Sequence, residues 1–251
     1  MQTLKRLEHP VLAVSINGAV PEKRPSSFRL ITDQGLPSTK AYLTFPSNVG
    51  IGNKGEKVTV SLTYGDKEDL LFTGVIYDTT IPGAHRYLFM TDGYKKLCDT
   101  PVIAAYRKEK ATVILQDSLD AAGIKETVIT CPDVEVARFS TMEIRADLII
   151  THLIKALQEH SHYGIRFFFD EKDIFHFGTS KDTGKNEGEI FVFETGKTIL
   201  EKGNGKIEVF PLPIRHTQKV IVDGEELVTH RTDLRISGFR SRFSLWLKKE
   251  G

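Results

Sequence analysis

Short runs of β-forming residues, each broken by turn residues, fill the first hundred positions: Val11 to Ile16, Phe28 to Thr32, Ala41 to Phe45, Lys57 to Tyr64, Leu70 to Tyr77 and Tyr87 to Thr91. Side chains alternate across a strand, so in Lys57 to Thr63 the apolar Val58, Val60 and Leu62 share one face, while Lys57, Thr59, Ser61 and Thr63 take the other. This pattern predicts strands with one packed and one wet face. Leu70 to Tyr77 is apolar on both faces, which suits a central strand or one whose outer face meets another subunit.

The spacing changes in the middle of the chain. Leu115, Leu119 and Ala122 recur at helical intervals and stop at Gly123, a residue suited to a helix C-terminus. A second helix is expected to start at the capping-box pattern Ser140-Thr-Met-Glu143 and to carry Ala146, Ile149, Leu153 and Ala156 on one stripe as far as Gly164. Ile165 to Phe169 and Ile174 to Phe177 flank the turn Asp170 to Asp173, which predicts a hairpin. After the polar, glycine-bearing stretch Ser180 to Gly188, β-runs resume at Glu189 to Phe193, Lys206 to Phe210, Lys219 to Val222, Glu226 to Thr232 and Ser241 to Lys248.

The expected fold class is therefore β-rich α+β: two antiparallel tube-like β-barrels with a small α/β unit between them. The expected boundaries are 1–105 for the first barrel, part of which later strands could complete, 106–179 for the insert, 180–188 for a linker or mobile loop and 189–251 for the second barrel.

Charge narrows the partners little. The 251 residues carry 34 basic and 33 acidic side chains, a formal net charge of +1, which gives no global field favouring nucleic acid or anionic lipid. No stretch approaches the roughly 20 apolar residues of a membrane helix, and the start of the chain, with Glu8 and His9 before a short apolar run, is unlike a secretory signal. A soluble protein with no membrane partner is expected. Cys98 and Cys131 form no CxxC pattern, so neither a zinc ribbon nor a disulfide framework is implied, and a reducing cytoplasmic site of assembly is the simpler expectation.

Motifs with chemical meaning fail on context. Gly50-Ile-Gly52-Asn-Lys-Gly55 fits a dinucleotide fingerprint by letter, yet a strand rather than a helix follows it. Thr195-Gly-Lys-Thr198 resembles the end of a P-loop, but Phe191 stands where the first glycine is required. His152, His160, His162 and His176 lack HExxH spacing, so no metal is assigned. The acidic pairs Asp170 and Glu171, and Glu225 and Glu226, sit in turns, where carboxylates serve solvation and local hydrogen bonding. No catalytic residue and no cofactor are assigned, and no Gly-x-Ser-x-Gly elbow occurs.

One cluster stays ambiguous. Arg231, Arg235, Arg240, Arg242, Lys248 and Lys249 interleave with Phe239, Phe243 and Trp246, as on some nucleic-acid surfaces. In Ser241 to Leu247 the apolar Phe243, Leu245 and Leu247 share one face, leaving Arg242, Ser244 and Trp246 on the other, a solvated or subunit-facing surface before a nucleic-acid one.

Three stretches carry a family resemblance. Lys57 to Tyr77, with its V-x-V-x-L strand, the turn Gly65-Asp66 and Leu71-Phe-Thr-Gly-Val75, resembles a first-barrel pattern. Ala146 to Gly178 is similar to a small insert, and Pro211-Leu-Pro213 through Val228-Thr-His230 to Leu245-Trp-Leu247 looks like a second barrel. The family is that of tailed-bacteriophage tail-hub or baseplate-hub proteins and the hubs of contractile injection systems, the late-control protein D family. The resemblance implies a non-enzymatic structural subunit with two tube-like barrels per chain. It implies a trimer forming a pseudo-sixfold ring between a tail tube, or tube-initiator protein, and a spike. Assembly in the bacterial cytoplasm and residence in a virion tail or injection-machine baseplate would follow. Because the sequence stops at Gly251, soon after the last β-run, the spike is expected to be a separate protein. Interface residues expected on this basis are Leu71, Val75, Tyr77, Arg240, Arg242 and Trp246. The alternatives are an oligonucleotide-binding β-barrel using Arg240, Arg242 and Trp246, and a tail-associated enzyme that degrades cell wall.

Overall fold

The structure is a computed structural model, and it describes residues 10–48, 50–130, 132–179, 190–238 and 240–249. The expected linker Ser180 to Gly188 lies outside the described residues, as do Cys131, Glu189 and Phe239. In chain order the elements are β1 (Val11–Ile16), β2 (Ser27–Asp33), β3 (Lys40–Pro46), β4 (Lys57–Tyr64), β5 (Lys67–Thr80), β6 (His85–Thr91), α1 (Tyr94–Asp99) and β7 (Pro101–Lys110). There follow α2 (Ala111–Ala121), β8 (Thr127–Thr130), β9 (Glu135–Arg145), α3 (Ala146–Glu159), β10 (Arg166–Phe169) and β11 (Phe175–Gly178). The last group is β12 (Phe191–Phe193), β13 (Ile199–Gly203), β14 (Lys206–Val209), β15 (Lys219–Val222), β16 (Glu225–Ser237) and β17 (Arg242–Lys248). The class is β-rich α+β.

Contacts divide the chain into two compact units. One is built from the chain up to Asp92 together with the chain after segment 180–189, and the other begins at Gly93. In the first unit a 12-stranded sheet runs in the order β1-β4-β5-β6-β3-β2-β16-β17-β14-β13, with β15 branching from β16 and β12 pairing with β15. The pairing of β2 with β16, from Ser27↔Ser237 to Asp33↔Arg231, fuses the early and late strands. The described pairings form an open path and close neither group of strands into a barrel.

Burial follows the alternation. Val58, Val60 and Leu62 are each wholly buried, Lys57 is exposed, and Phe243, Leu245 and Leu247 point into the same core as Val58. That core draws on both strand groups, and each fully buried side chain of this size contributes roughly 1.5–3 kcal/mol over exposure. The long β5 is central, between β4 and β6, and bends at two bulges. Val60 pairs with Phe72 but Ser61 with Leu70, and Ile76 pairs with Met90 but Asp78 with Phe89. Gly74 belongs here because a Cβ would meet the Thr91 carbonyl oxygen at 2.3 Å.

The second unit packs α2 and α3 against the two-stranded ribbon β7-β9 and the three-stranded sheet β10-β11-β8. The helix expected to end at Gly123 is α2, and Gly123, at φ +67°, donates its N–H to the Asp120 carbonyl. The expected hairpin is β10-β11. The capping-box expectation at Ser140 to Glu143 is overturned, since those residues lie within β9 and α3 begins at Ala146 with no side-chain cap. Long-range pairing with β7 outweighs the local capping signal, and Thr141 is buried between the two strands rather than turned toward a helix end.

Candidate functional site

Of the expected interface residues, Leu71 is set inward by the first bulge of β5 and is only 4% exposed in the core. Val75 and Tyr77 remain half-buried on the other side of the strand. Tyr77 sits beside Phe89, ring centroids 6.2 Å apart, and Phe89 meets Tyr42 edge-on at 5.8 Å. Burial pushes the Tyr77 phenol up. Half-buried Tyr42, Phe89 and Tyr77 therefore form an aromatic band across the outer side of β3, β6 and β5, strands that sheet pairing brings side by side.

Arg240, Arg242 and Trp246 lie at and along β17. Arg240 is exposed in the turn after β16, its N–H donating to the Ser237 carbonyl. Arg242 bonds the Glu208 carboxylate at 2.7 Å and approaches Glu201 at 3.7 Å. Trp246 is the contact point of two cations, Lys206 at 5.3 Å and the Arg231 guanidinium at 4.9 Å from the ring centroid. Glu208, held by Lys206, Arg242 and Ser244, has its pKa lowered to about 2, mainly by the hydrogen bond from Lys206 and then that from Arg242.

This arrangement weakens the oligonucleotide reading. A base-stacking platform needs an open aromatic face, and a phosphate track needs unpaired cations. Here Trp246 is already engaged, Arg235 pairs with Asp233, Arg242 with Glu208, and Lys249 with Glu225. The sequence marked the charges of this cluster but not their partners, which come from β14 and β16.

The motif candidates resolve into turns. At Thr195 to Thr198 the N–H groups of Lys197, Thr198 and Ile199 all donate to the Glu194 carbonyl, and the Thr195 N–H donates to Asp223 at 2.7 Å. Those amides are committed internally and leave no cradle for phosphate. In the Gly50 to Gly55 stretch, Gly55 donates to the Ile76 carbonyl and Asn53 to Glu56, and β4 follows. His152 and His160 are exposed, whereas His176 stacks on Phe168 at 5.0 Å and lies 3.1 Å from Asp170. Among the described residues, no group of three or more His, Cys, Asp or Glu could hold a metal ion. Asp170 also accepts the Lys172 and Ile174 N–H groups, the work of a turn carboxylate. No helix among the described residues is long and apolar enough to cross a membrane.

No family model matches the sequence, and no curated protein matches it. Solved structures do match in fold. A tail protein from Neisseria meningitidis MC58 aligns with a TM-score of 0.73 at 10% identity, covering 96% of this chain and 97% of that one. The 43 kDa tail protein of prophage MuSo2 from Shewanella oneidensis aligns at 0.70 and 10% identity, covering 96% and 98%. A component of the type VI secretion system of E. coli, described as similar in structure to T4 bacteriophage tail proteins, aligns at 0.70 and 11% identity, covering 95% of this chain and 77% of that one. Across nearly its whole length, this chain has the fold of phage-tail and secretion-system proteins.

Proposed function

We propose that the chain is a structural hub subunit of a phage tail or contractile injection machine, with no catalytic role. In this proposal three copies form a pseudo-sixfold ring between the tail tube, or its initiator protein, and a spike. The strand groups β1–β6 and β12–β17 would supply the two tube-like modules of each copy, and Val75, Tyr77, Arg240, Arg242 and Trp246 would face neighbouring subunits. The observation that carries the proposal is the end-to-end match in fold to two tail proteins, which leaves almost no residue of either chain outside the alignment. The half-buried aromatic band on β3, β5 and β6 adds a surface suited to closed symmetric assembly.

Light scattering coupled to size exclusion tests the ring. A mass of three protomers, with ring-shaped particles in negative stain, is expected. A strictly monomeric particle at high concentration would remove the proposal.

A further inference from the structure

The β7-β9 ribbon of the second unit presents an outward strip that neither the ring proposal nor the aromatic band uses. Inward-facing Ala104, Tyr106, Phe139 and Ile144 pack on the helical core. The side chains between them face away. Ala105 lies opposite Ser140, and Arg107 lies directly opposite Arg138, all four exposed. Beyond Ala105 the register shifts, so that Met142 and Glu143 together stand opposite Ile103. Met142 is 89% and Ile103 77% exposed, among the most exposed large apolar residues described.

This display is built into the backbone. The buried Thr141 hydroxyl spans the irregularity, accepting the Ala104 N–H at 3.1 Å and donating to the Val102 carbonyl at 3.2 Å. Glu143 adopts φ +53°, a left-handed conformation that L-residues with a Cβ rarely take. The paired arginines are the second feature. Like charges directly opposite each other across two strands are unfavourable, and neither Arg107 nor Arg138 has an ion pair among the described residues. Two guanidiniums thus stand unneutralised about 13 Å along the strand from an exposed apolar pair, with the small Ala105 and Ser140 between them.

From this juxtaposition we infer that the outer face of the β7-β9 ribbon docks an acidic segment of another protein. The segment would bring carboxylates to Arg107 and Arg138 and an apolar side chain to Ile103 and Met142. Two arginine forks match carboxylate geometry. The apolar pair offers no further cation to track a phosphate backbone and suits an apolar side chain of an alternating strand, which sets a protein partner ahead of nucleic acid. The inference stands whether or not the chain forms a ring.

The test uses the whole protein and a fluorescein-labelled, end-blocked peptide that alternates valine with glutamate, read by anisotropy at low ionic strength. Saturable binding is expected. It should weaken at least about tenfold in Arg107→Glu/Arg138→Glu and in Ile103→Ser/Met142→Ser, and fall with added salt. Arg107→Lys/Arg138→Lys should retain part of it. Melting curves of the variants show whether each is folded, and these exposed positions are expected to leave the midpoint unchanged. The inference is overturned if the peptide fails to bind. It is equally overturned if folded variants bind as well as the parent, if a valine–lysine peptide binds as well, or if a single-stranded oligonucleotide binds through the same arginines in preference to the peptide.

Discussion

Arg29 of β2 and Asp233 of β16 stand 204 residues apart in sequence and meet through two hydrogen bonds, Nε to Oδ1 at 2.9 Å and Nη2 to Oδ2 at 2.7 Å. Arg235 grips the same carboxylate at 3.2 and 2.8 Å. The Asp233 side chain is 4% exposed, whereas Arg29 and Arg235 are 41% and 60% exposed. Burial raises the Asp233 pKa, but the two guanidiniums outweigh it and hold the carboxyl below the usual range. The pair thus sits at the strand boundary that makes one sheet out of the two ends of the chain.

Removing that carboxylate should be costly. Asp233→Ala leaves two arginines facing each other beside β2, and the expected loss is about 2 kcal/mol, below the value for a fully buried pair because both guanidiniums reach water. Urea unfolding checks it. A loss under about 0.5 kcal/mol would mean that the β2·β16 pairing does not depend on the ion pair.

Stability should fall on the acid side with a contribution from Glu208. Its folded pKa, about 2, lies below the ordinary 4.5, so the group adds stability above about pH 4.5 and loses that contribution as pH falls toward 2. Asp147, held by Arg145 and Tyr94 against the opposing effect of burial, is lowered as well and acts in the same direction. Thermal midpoints measured across this window should fall less steeply for Glu208→Gln than for the parent protein, and parallel curves would contradict the assignment.

Gly74→Ala should be among the most damaging small substitutions in the sheet. Its Cβ would lie 2.3 Å from the Thr91 carbonyl oxygen and 2.5 Å from the Phe72 ring, forcing β5 and β6 apart at a cost of about 2–3 kcal/mol. Gly50→Ala meets nothing within 4 Å and should change stability by less than about 0.5 kcal/mol. Chemical denaturation of the two variants side by side distinguishes a packing glycine from one in an open turn.

Tyr64 donates its phenolic hydrogen to the Pro211 carbonyl, and burial, aided by Asp69, raises its pKa. Tyr64→Phe should lower stability by about 1 kcal/mol through the unpaired carbonyl it leaves. An unchanged denaturation midpoint would mean that water replaces the hydroxyl.

For the ring, Val75→Glu and Tyr77→Glu place charge on the outer side of β5 without touching the core. Loss of the higher-mass species is expected in light scattering, from variants that circular dichroism shows to be folded, since both side chains are half-buried and Tyr77 packs beside Phe89. Unchanged mass in both variants would move the subunit contact away from this face.

Much of the fold was legible along the chain, because strand alternation is a local property that a sequence states directly. Val58, Val60 and Leu62 point inward, as do Phe243, Leu245 and Leu247, and the β10-β11 hairpin sits where its turn residues place it. Other elements carried weaker signals. The α1 helix has six residues and no capping side chain, and β13 has one half-buried apolar residue and four exposed positions, so neither stood out from the surrounding turns.

Tertiary structure decided the rest, for physical reasons that lie outside any short window. Leu71 turns inward because a bulge adds a residue to β5, and a shift of one position reverses the face of every side chain after it. Ser140 and Thr141 joined β9 because they pair with Ala105 and Ala104 of β7, and the strand runs on through the irregularity at Met142 and Glu143 as far as Arg145. In the basic cluster near the end of the chain, Arg235, Arg242 and Lys249 are paired with Asp233, Glu208 and Glu225, partners that the local pattern does not reveal. Sequence by itself determined a β-rich chain with inward and outward faces and the places where its strands turn. Which strands became neighbours, and therefore which charges are neutralised and which remain open on the β7-β9 ribbon, was set by long-range pairing that local pattern does not encode.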